Sequence, residues 1–298
     1  MKYYLGIDGG GTKTVAAVGD ENGKLLLKQV GKTINFYSVG MENARKNLAA
    51  LIAEIEAAIG TDKFEAVFIG CSALDAEADD ELVGKLCGGI VNARKIKMDS
   101  DVFIALSSLP EAQHPCVAIC GTGSMAIARA EDGKTRIAGG WGHIIGDEGS
   151  GYSIAANALK HCCVQCDKGE VTPLLESAEK FFGVPDFRKA IDIIYSENTT
   201  KDKIAAFAYQ TGLLAQDGDG AAVEIIKSEA VAFADTVLIL LRNVGCCDCL
   251  GLYGGVFRNS ELFCRIFIEK IRTEYPALEI KSIDIPPEES ALMLARNL

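Results

Sequence analysis

Apolar and polar positions follow one order near the start of the chain and follow it again about a hundred residues later. "YYLGID" is a short apolar run that stops at a cluster of glycines, which predicts a strand. "TVAAVGDENGKLLLKQVG" alternates on both sides of "ENGK", and Asn-Gly between alternating runs is a hairpin signal. The opening is therefore strand, glycine turn, strand, hairpin, strand, all antiparallel. Ala44, Leu48, Leu51, Ile52, Ile55 and Ile59 then recur at helical spacing, and Gly60 ends that helix. "FEAVFIG" predicts a buried strand, "DDELVGKLCGGI" a helix and "RKIKMDS" another strand. "DVFIALSSL" predicts a short helix starting near Ser100 or Asp101.

Beyond Pro110 the opening pattern returns. "CVAICGTGSMAIARAEDGKTRIAGG" is again strand, glycine turn, strand, an "EDGK" hairpin and strand. Two copies of one supersecondary unit predict two related domains with a cleft between them. The second copy carries a helix-rich insertion from about Gly151 to Gly245 before "LGLYGG" returns to the sheet. "EIKSIDI" is a last strand, and "PPEESALMLARN" a closing helix with proline in its first turn.

Composition narrows the class of function. The chain has 298 residues, is 49% hydrophobic and carries a formal net charge of -11. Such an acidic balance argues against nucleic acid, whose phosphates need basic patches. It leaves nucleotides open, because backbone N–H groups and a metal can hold them. "MKYYLGIDGG" has too short an apolar run for a signal peptide, and the most apolar helix, "EAVAFADTVLILLRNVG", is interrupted by Asp235 and Arg242. The expectation is a cytoplasmic protein with no membrane partner. Eleven cysteines include "CCVQC" and "CCDC". The odd count argues against a disulfide framework and neither cluster has zinc-ribbon spacing, so they read mainly as small apolar packing residues.

The glycine turns carry the candidate chemistry. "LGIDGGGTKT" lacks the Gly-Lys-Ser/Thr ending of a P-loop, and a hairpin follows it where a dinucleotide fingerprint needs a helix. It suits a tight hairpin whose successive amides form a nest for phosphate oxygens. Thr12 adds a hydroxyl, Lys13 a cation, and Asp8 a carboxylate at the strand end for a hydrated Mg²⁺. "GTGS" at 121–124 supplies the matching turn of the second copy, and "YGGVFRN" at 253–259 a third glycine motif. "GGWGHIIGDEGSG", residues 139–151, puts six glycines around the single tryptophan of the chain. One reading is a turn-rich surface loop with a buried tryptophan. The other is a ligand loop with Trp141 as a wall and Asp147 or Glu148 as an anchor.

The order "GIDGGGTKT", "SDVFIAL", "ICGTGS", "GGWGHIIGDEGSG", "YGGVFRN" resembles the N-acetylglucosamine kinase branch of the sugar kinase, Hsp70 and actin superfamily. That branch is grouped with the BadF/BadG/BcrA/BcrD-type ATPases. The resemblance covers essentially the whole chain. It implies an α/β, two-domain actin-like ATPase (ribonuclease H-like) fold with an interdomain cleft. The first domain would be residues 1–110 with the closing helix 287–298 packed back on it, and the second 111–286 with its helical insertion at 151–245. It also implies ATP and Mg²⁺ as cofactors, phosphorylation of an amino sugar at its 6-hydroxyl, and a homodimer.

Residue by residue, the resemblance places Asp101 on the catalytic base, a position where a helix cap is the ordinary alternative. It assigns Gly10, Gly11, Thr12, Lys13 and Thr122 to the ATP phosphates, Gly254 and Gly255 to the adenosine motif, and Ala215 near the nucleotide. Asn35, Ser124, Gly140, Trp141, Gly142 and Asp147 would contact the sugar, with Asp147 accepting from its hydroxyls. His143 reads as structural. Animal members have a substrate-contacting asparagine after "GTGS" where this chain has Met125, which leaves glucosamine, N-acetylglucosamine and N-acetylmuramic acid as substrates to compare. A second class shares "DGGGTKT"-like turns: ATPases that activate 2-hydroxyacyl-CoA dehydratases and hold an iron–sulfur cluster by cysteines. Against it, the tryptophan loop would have no task and no cysteine follows "GTGS". A DNA-binding sugar sensor would need a helix-turn-helix, and none is read ahead of Asp8.

Overall fold

A computed structural model describes residues 1–74 and 76–298. In chain order it runs β1 (Tyr3–Gly9), β2 (Lys13–Asp20), β3 (Leu25–Lys32), α1 (Phe36–Val39), α2 (Met41–Ile59), β4 (Phe64–Cys71), α3 (Asp80–Cys87), β5 (Ala93–Asp99) and α4 (Asp101–Ser107). The repeat follows as β6 (Pro115–Cys120), β7 (Ser124–Arg129) and β8 (Thr135–Gly139). Next come helices α5 (Gly151–Lys168), α6 (Pro173–Phe182), α7 (Ala190–Ile194), α8 (Lys201–Ala205), α9 (Phe207–Gln216) and α10 (Gly220–Val244). β9 (Cys249–Tyr253), α11 (Gly255–Asn259), α12 (Glu261–Arg272), β10 (Glu279–Ser282) and α13 (Pro287–Arg296) complete the chain. The chain divides into one unit of Met1–Pro110 with Asp284–Leu298 and another of Glu111–Ile283.

The first unit is built on a sheet of order β3-β2-β1-β4-β5. Its first three strands are antiparallel, as the hairpin signals predict, while β4 and β5 join in parallel after crossover helices. Both faces are covered, which explains why β4 is apolar almost throughout. Leu48, Leu51, Ile52 and Ile55 of α2 pack with Leu5, Ile7, Val67 and Ile69 of the sheet. On the other face Phe68 and Ile104 pack with Ala291 and Ala295 of α13. That helix lies so close to β1 that a Cβ on Gly6 would come within 2.0 Å of the Leu292 nitrogen.

The second unit repeats the topology: its sheet has the order β10-β9-β6-β7-β8, with β6, β7 and β8 antiparallel and β9 and β10 parallel. α10 is its central helix, with Ile226, Phe233, Val237 and Leu241 buried against the sheet and α12. Helices α11 and α12 add to the pattern read from the sequence. They bring Phe257, Phe263 and Phe267 onto Phe233 in one aromatic cluster. Among the described residues no helix is long and apolar enough to cross a membrane.

Gly6 gives a direct test of the α13 contact. Gly6→Ala would press a methyl into backbone that has no rotamer to give, and overpacking of this kind costs about 1–3 kcal/mol. The expected outcome is a lower thermal midpoint in scanning calorimetry, whereas an unchanged midpoint would show that α13 can back away from β1.

Candidate active site

In the first unit the glycine turn between β1 and β2 is held by its carbonyls. The Gly9 carbonyl accepts from both the backbone N–H (2.9 Å) and the hydroxyl (3.0 Å) of Ser72, and the Gly10 carbonyl accepts from the Thr33 hydroxyl (2.7 Å). A trans peptide places C=O and N–H on opposite sides. Fastening these two carbonyls therefore turns the amides of Gly10 and Gly11 the other way. Asn35 joins the same network: its amide donates to the Ser72 hydroxyl at 2.9 Å and its Oδ1 caps α1 by accepting from Tyr37 and Ser38. Ser72 and Thr33 are thus site residues that sequence reasoning missed. Each is a lone hydroxyl in a short connection, with no motif to mark it. Thr12 and Lys13 stand exposed beyond the turn.

Asp8, the half-buried acid near the end of β1, and Asp101, at the start of α4, are close enough to feel each other's charge. Ser100 is the cap of α4, so Asp101 is its first helical residue rather than its cap. Burial raises the Asp101 carboxyl, opposed by its own amide and that of Val102. Asp8 is pushed up to about 7, first by burial and then by Asp101 and Glu288, with Lys13 opposing. An acid crowded by two further acids and offset by one exposed lysine suits a hard divalent cation with oxygen ligands. Among the described residues no three of His, Cys, Asp and Glu converge on a shared metal position. A Mg²⁺ at Asp8 would therefore take most of its ligands from water and phosphate.

In the second unit "GTGS" forms the equivalent turn, again tied by its carbonyls. Gly121 accepts from the Gly151 N–H at 2.8 Å and Thr122 from the Tyr152 N–H at 3.2 Å. By the same peptide geometry the amides of Thr122 and Gly123 point away from α5. Ser124 is buried, and its hydroxyl donates to the Glu148 carbonyl at 2.7 Å. Gly121 and Thr122 open onto a cavity of about 430 Å³ that Ala205, Tyr209, Gly255 and Asn259 also line. Gly254, one residue before α11, packs against the Cys120 carbonyl. Ala215 lies further along α9 in the core cluster, and the cavity wall there is Tyr209 and Gly212.

The glycine-rich loop contradicts the reading with a buried tryptophan: Trp141 is 74% exposed. Gly140 and Gly142 both take positive φ, and Met125 sits against Gly140. His143 packs edge-on against Tyr152, with ring centroids 4.6 Å apart. Glu148 is exposed, whereas Asp147 is 4% exposed. Asp147 is also the one non-glycine at positive φ among the described residues, at 64°. Its carboxyl lies against Gly123, where an added Cβ would come within 2.8 Å of Oδ2. No described residue donates a hydrogen bond to that carboxyl, and its oxygens are not among the sealed, unpartnered atoms, so a strained and mostly buried residue keeps an open acceptor, the usual mark of a ligand site.

Most of the cysteines lie away from these turns, although Cys71 and Cys120 adjoin them. Burial pushes the thiols of Cys71, Cys87 and Cys162 up to about 11, 12 and 12, so they pack as neutral apolar groups. The Cys247 thiol donates to the Cys249 carbonyl at 3.5 Å, and Cys116 beside it draws the Cys247 thiol below its ordinary value.

A family model described as the BadF/BadG/BcrA/BcrD ATPase family matches residues 5–292. The chain belongs to the BadF/BadG/BcrA/BcrD ATPase family. It is 30% identical over 303 residues to the N-acetylmuramic acid/N-acetylglucosamine kinase of Clostridium acetobutylicum, covering 100% of this chain and 99% of that one. It is 29% identical to the N-acetyl-D-glucosamine kinase of Dictyostelium discoideum, covering 99% and 98% of the two chains. Among solved structures, a Chromobacterium violaceum protein matches with a TM-score of 0.73 at 20% identity, over 99% of each chain. A Streptomyces griseus ROK family glucokinase, solved with glucose and AMPPNP, matches with a TM-score of 0.67 at 18% identity, over 99% and 100%. These likenesses bear out the actin-like ATPase fold implied by the sequence resemblance.

The crowded acids of this family member predict a pH dependence. Asp8 holds its proton to about 7 when folded against 3.8 ordinarily, so the folded state binds more protons between those values. Stability contributed at this site therefore falls as pH rises from about 4 to about 7. Asp8→Asn is expected to melt above the parent protein at pH 8, with the gap closing toward pH 4.5. Thermal melts across that range check it, and a gap independent of pH would refute it.

Proposed function

We propose that this protein is an ATP-dependent kinase that phosphorylates the 6-hydroxyl of an amino sugar: N-acetylglucosamine, glucosamine or N-acetylmuramic acid. The observation that carries the reading is Asp147, a strained, mostly buried residue whose carboxyl stays open with no donor among the described residues, suited to accept from sugar hydroxyls by charge-assisted hydrogen bonds. The names of the relatives support the same substrate class.

In this reading the cavity beside Gly121 and Gly255 takes the nucleoside, and the amides of Thr122 and Gly123 hold its phosphates, as those of Gly10 and Gly11 do in the first unit. Asp101 accepts the proton of the attacking sugar hydroxyl. The oxygen so freed forms the new bond to the γ-phosphorus, and ADP leaves. Burial raises the Asp101 carboxyl above its ordinary value, which strengthens it as a proton acceptor. Mg²⁺, held through water by Asp8, would neutralise charge on the phosphates. Asn35, occupied by its cap and by Ser72, retains one amide hydrogen for the sugar. Trp141, exposed and flanked by glycines, provides an apolar face for the pyranose.

A coupled ADP-release assay with Mg²⁺-ATP tests this against the three amino sugars, with glucose as comparison. Turnover with at least one amino sugar is expected, and Asp101→Asn should lower kcat by about 10²–10⁴-fold, the usual worth of a general base. ATP hydrolysis that ignores every sugar and the substitution would overturn the proposal.

A further inference from the structure

α10 buries an otherwise apolar face, and Glu229 interrupts it. This acid is 6% exposed, one turn from Ile226 and Phe233, which are both fully packed in the core. Buried acids are rare unless their oxygens are satisfied. Here both oxygens accept, and every donor comes from one stretch of chain. Oε2 takes the Gly149 N–H at 2.6 Å, while Oε1 takes the Ser153 hydroxyl at 3.0 Å and the amide of Asn157. Each partner precedes it by more than seventy residues.

What Glu229 grips is the junction between the glycine-rich loop and α5. Gly149 has φ 78°, and a Cβ there would lie 2.5 Å from the Phe233 Cβ and 3.0 Å from the Glu229 carbonyl. The loop backbone therefore rests directly on α10, at a position only glycine can occupy. From that anchor the strained backbone of Asp147 lies two residues upstream, and Glu148 offers its carbonyl to Ser124. Downstream, Gly151 and Tyr152 donate to the carbonyls of Gly121 and Thr122. The Gly149 carbonyl is itself met by the Cys120 thiol at 3.1 Å. Asp147 and the "GTGS" turn are thus two ends of one hydrogen-bonded block, and Glu229 is where that block meets the core. Ile154 and Ile226, which flank these contacts on α5 and α10, also line the cavity.

We infer that Glu229 is a positioning residue: through Gly149 it sets Asp147 and the 121–124 turn in one register, and so couples the grip on the acceptor to the grip on the phosphates. The inference rests on the kinase reading for its kinetic consequence but not for its geometry.

Glu229→Gln tests it, because the shape is kept while one acceptor oxygen becomes an NH₂ facing donors. The variant should keep its circular dichroism spectrum. Without any substrate, its amides at Gly149, Gly151 and Tyr152 should exchange hydrogen faster. In turnover, kcat/KM should fall about 10²-fold, the scale set by small misplacements remote from the reacting atoms. Glu229→Gln should also add little to the loss caused by Asp147→Asn, because the two act as one unit. A merely structural role predicts a lower melting temperature with unchanged exchange at those amides, unchanged kinetic constants per folded molecule and additive double-variant losses; that result would overturn the inference. Should Glu229→Gln fail to fold, Asn157→Ala removes one Oε1 donor at the surface of the network, and the same exchange and kinetic criteria decide on it. Faster exchange in the variant of a chain that phosphorylates no amino sugar would sink the kinase reading and leave the anchoring role standing.

Discussion

A trans peptide carries its carbonyl and its amide on opposite edges, so a chain that fastens a carbonyl also aims the next N–H. Both glycine turns of this protein use that constraint. In the first unit Ser72 and Thr33 hold the carbonyls of Gly9 and Gly10; in the second the amides of Gly151 and Tyr152 hold those of Gly121 and Thr122. The donors differ completely in kind, hydroxyls and a loop amide in one unit and a helix N-terminus in the other. The result is the same: a tight turn whose amide edge is free to meet an anion. Glycine keeps that edge clear of side chains, and the antiparallel strands on either side keep it from moving.

The acids of the two sites are stabilised in different ways. Asp8 is crowded by Asp101 and Glu288 and keeps its proton to about 7. Glu288 is itself joined to Lys28 at 2.9 Å, a pairing that ties α13 to β3. Glu229 is satisfied wholly by neutral donors. Asp147 has neither a cation nor a donor among the described residues, and its backbone is strained as well. Binding sites are where such uncompensated groups persist, because the ligand supplies the missing partner. The net charge of -11 is consistent with this economy, in which phosphate is met by backbone amides and one exposed lysine instead of a basic patch.

How much of this the sequence shows depends on the range of the interaction. The hairpins at "ENGK" and "EDGK", the 19 residues of α2 and the turn between β6 and β7 follow from contacts a few residues apart, and they stand where alternation and helical spacing put them. α11 and α12 were hidden because "YGGVFRN" reads as a glycine motif and the next segment mixes charges with its apolar stripe. The composition of 139–151 signals backbone at positive φ, and Gly139, Gly140, Gly142 and Gly149 all take it. It could not tell whether Trp141 faces the core or solvent, because a glycine-flanked ring has no periodicity to orient it.

By itself the sequence determined the repeated strand–turn–strand units, the helices with a clear apolar stripe, and the family to which the chain belongs, since each is written in local pattern or in motif order. Tertiary structure alone decided which carbonyls fasten the turns, that Ser100 and not Asp101 caps α4, and that the carboxyl of the mostly buried Asp147 stays open with no donor among the described residues. It alone showed that an acid in the middle of α10 is the anchor for a loop eighty residues away. Hydrogen bonds between distant segments leave no period in the chain: a glutamate on an apolar helix face looks like an interruption until the backbone it holds has folded against it.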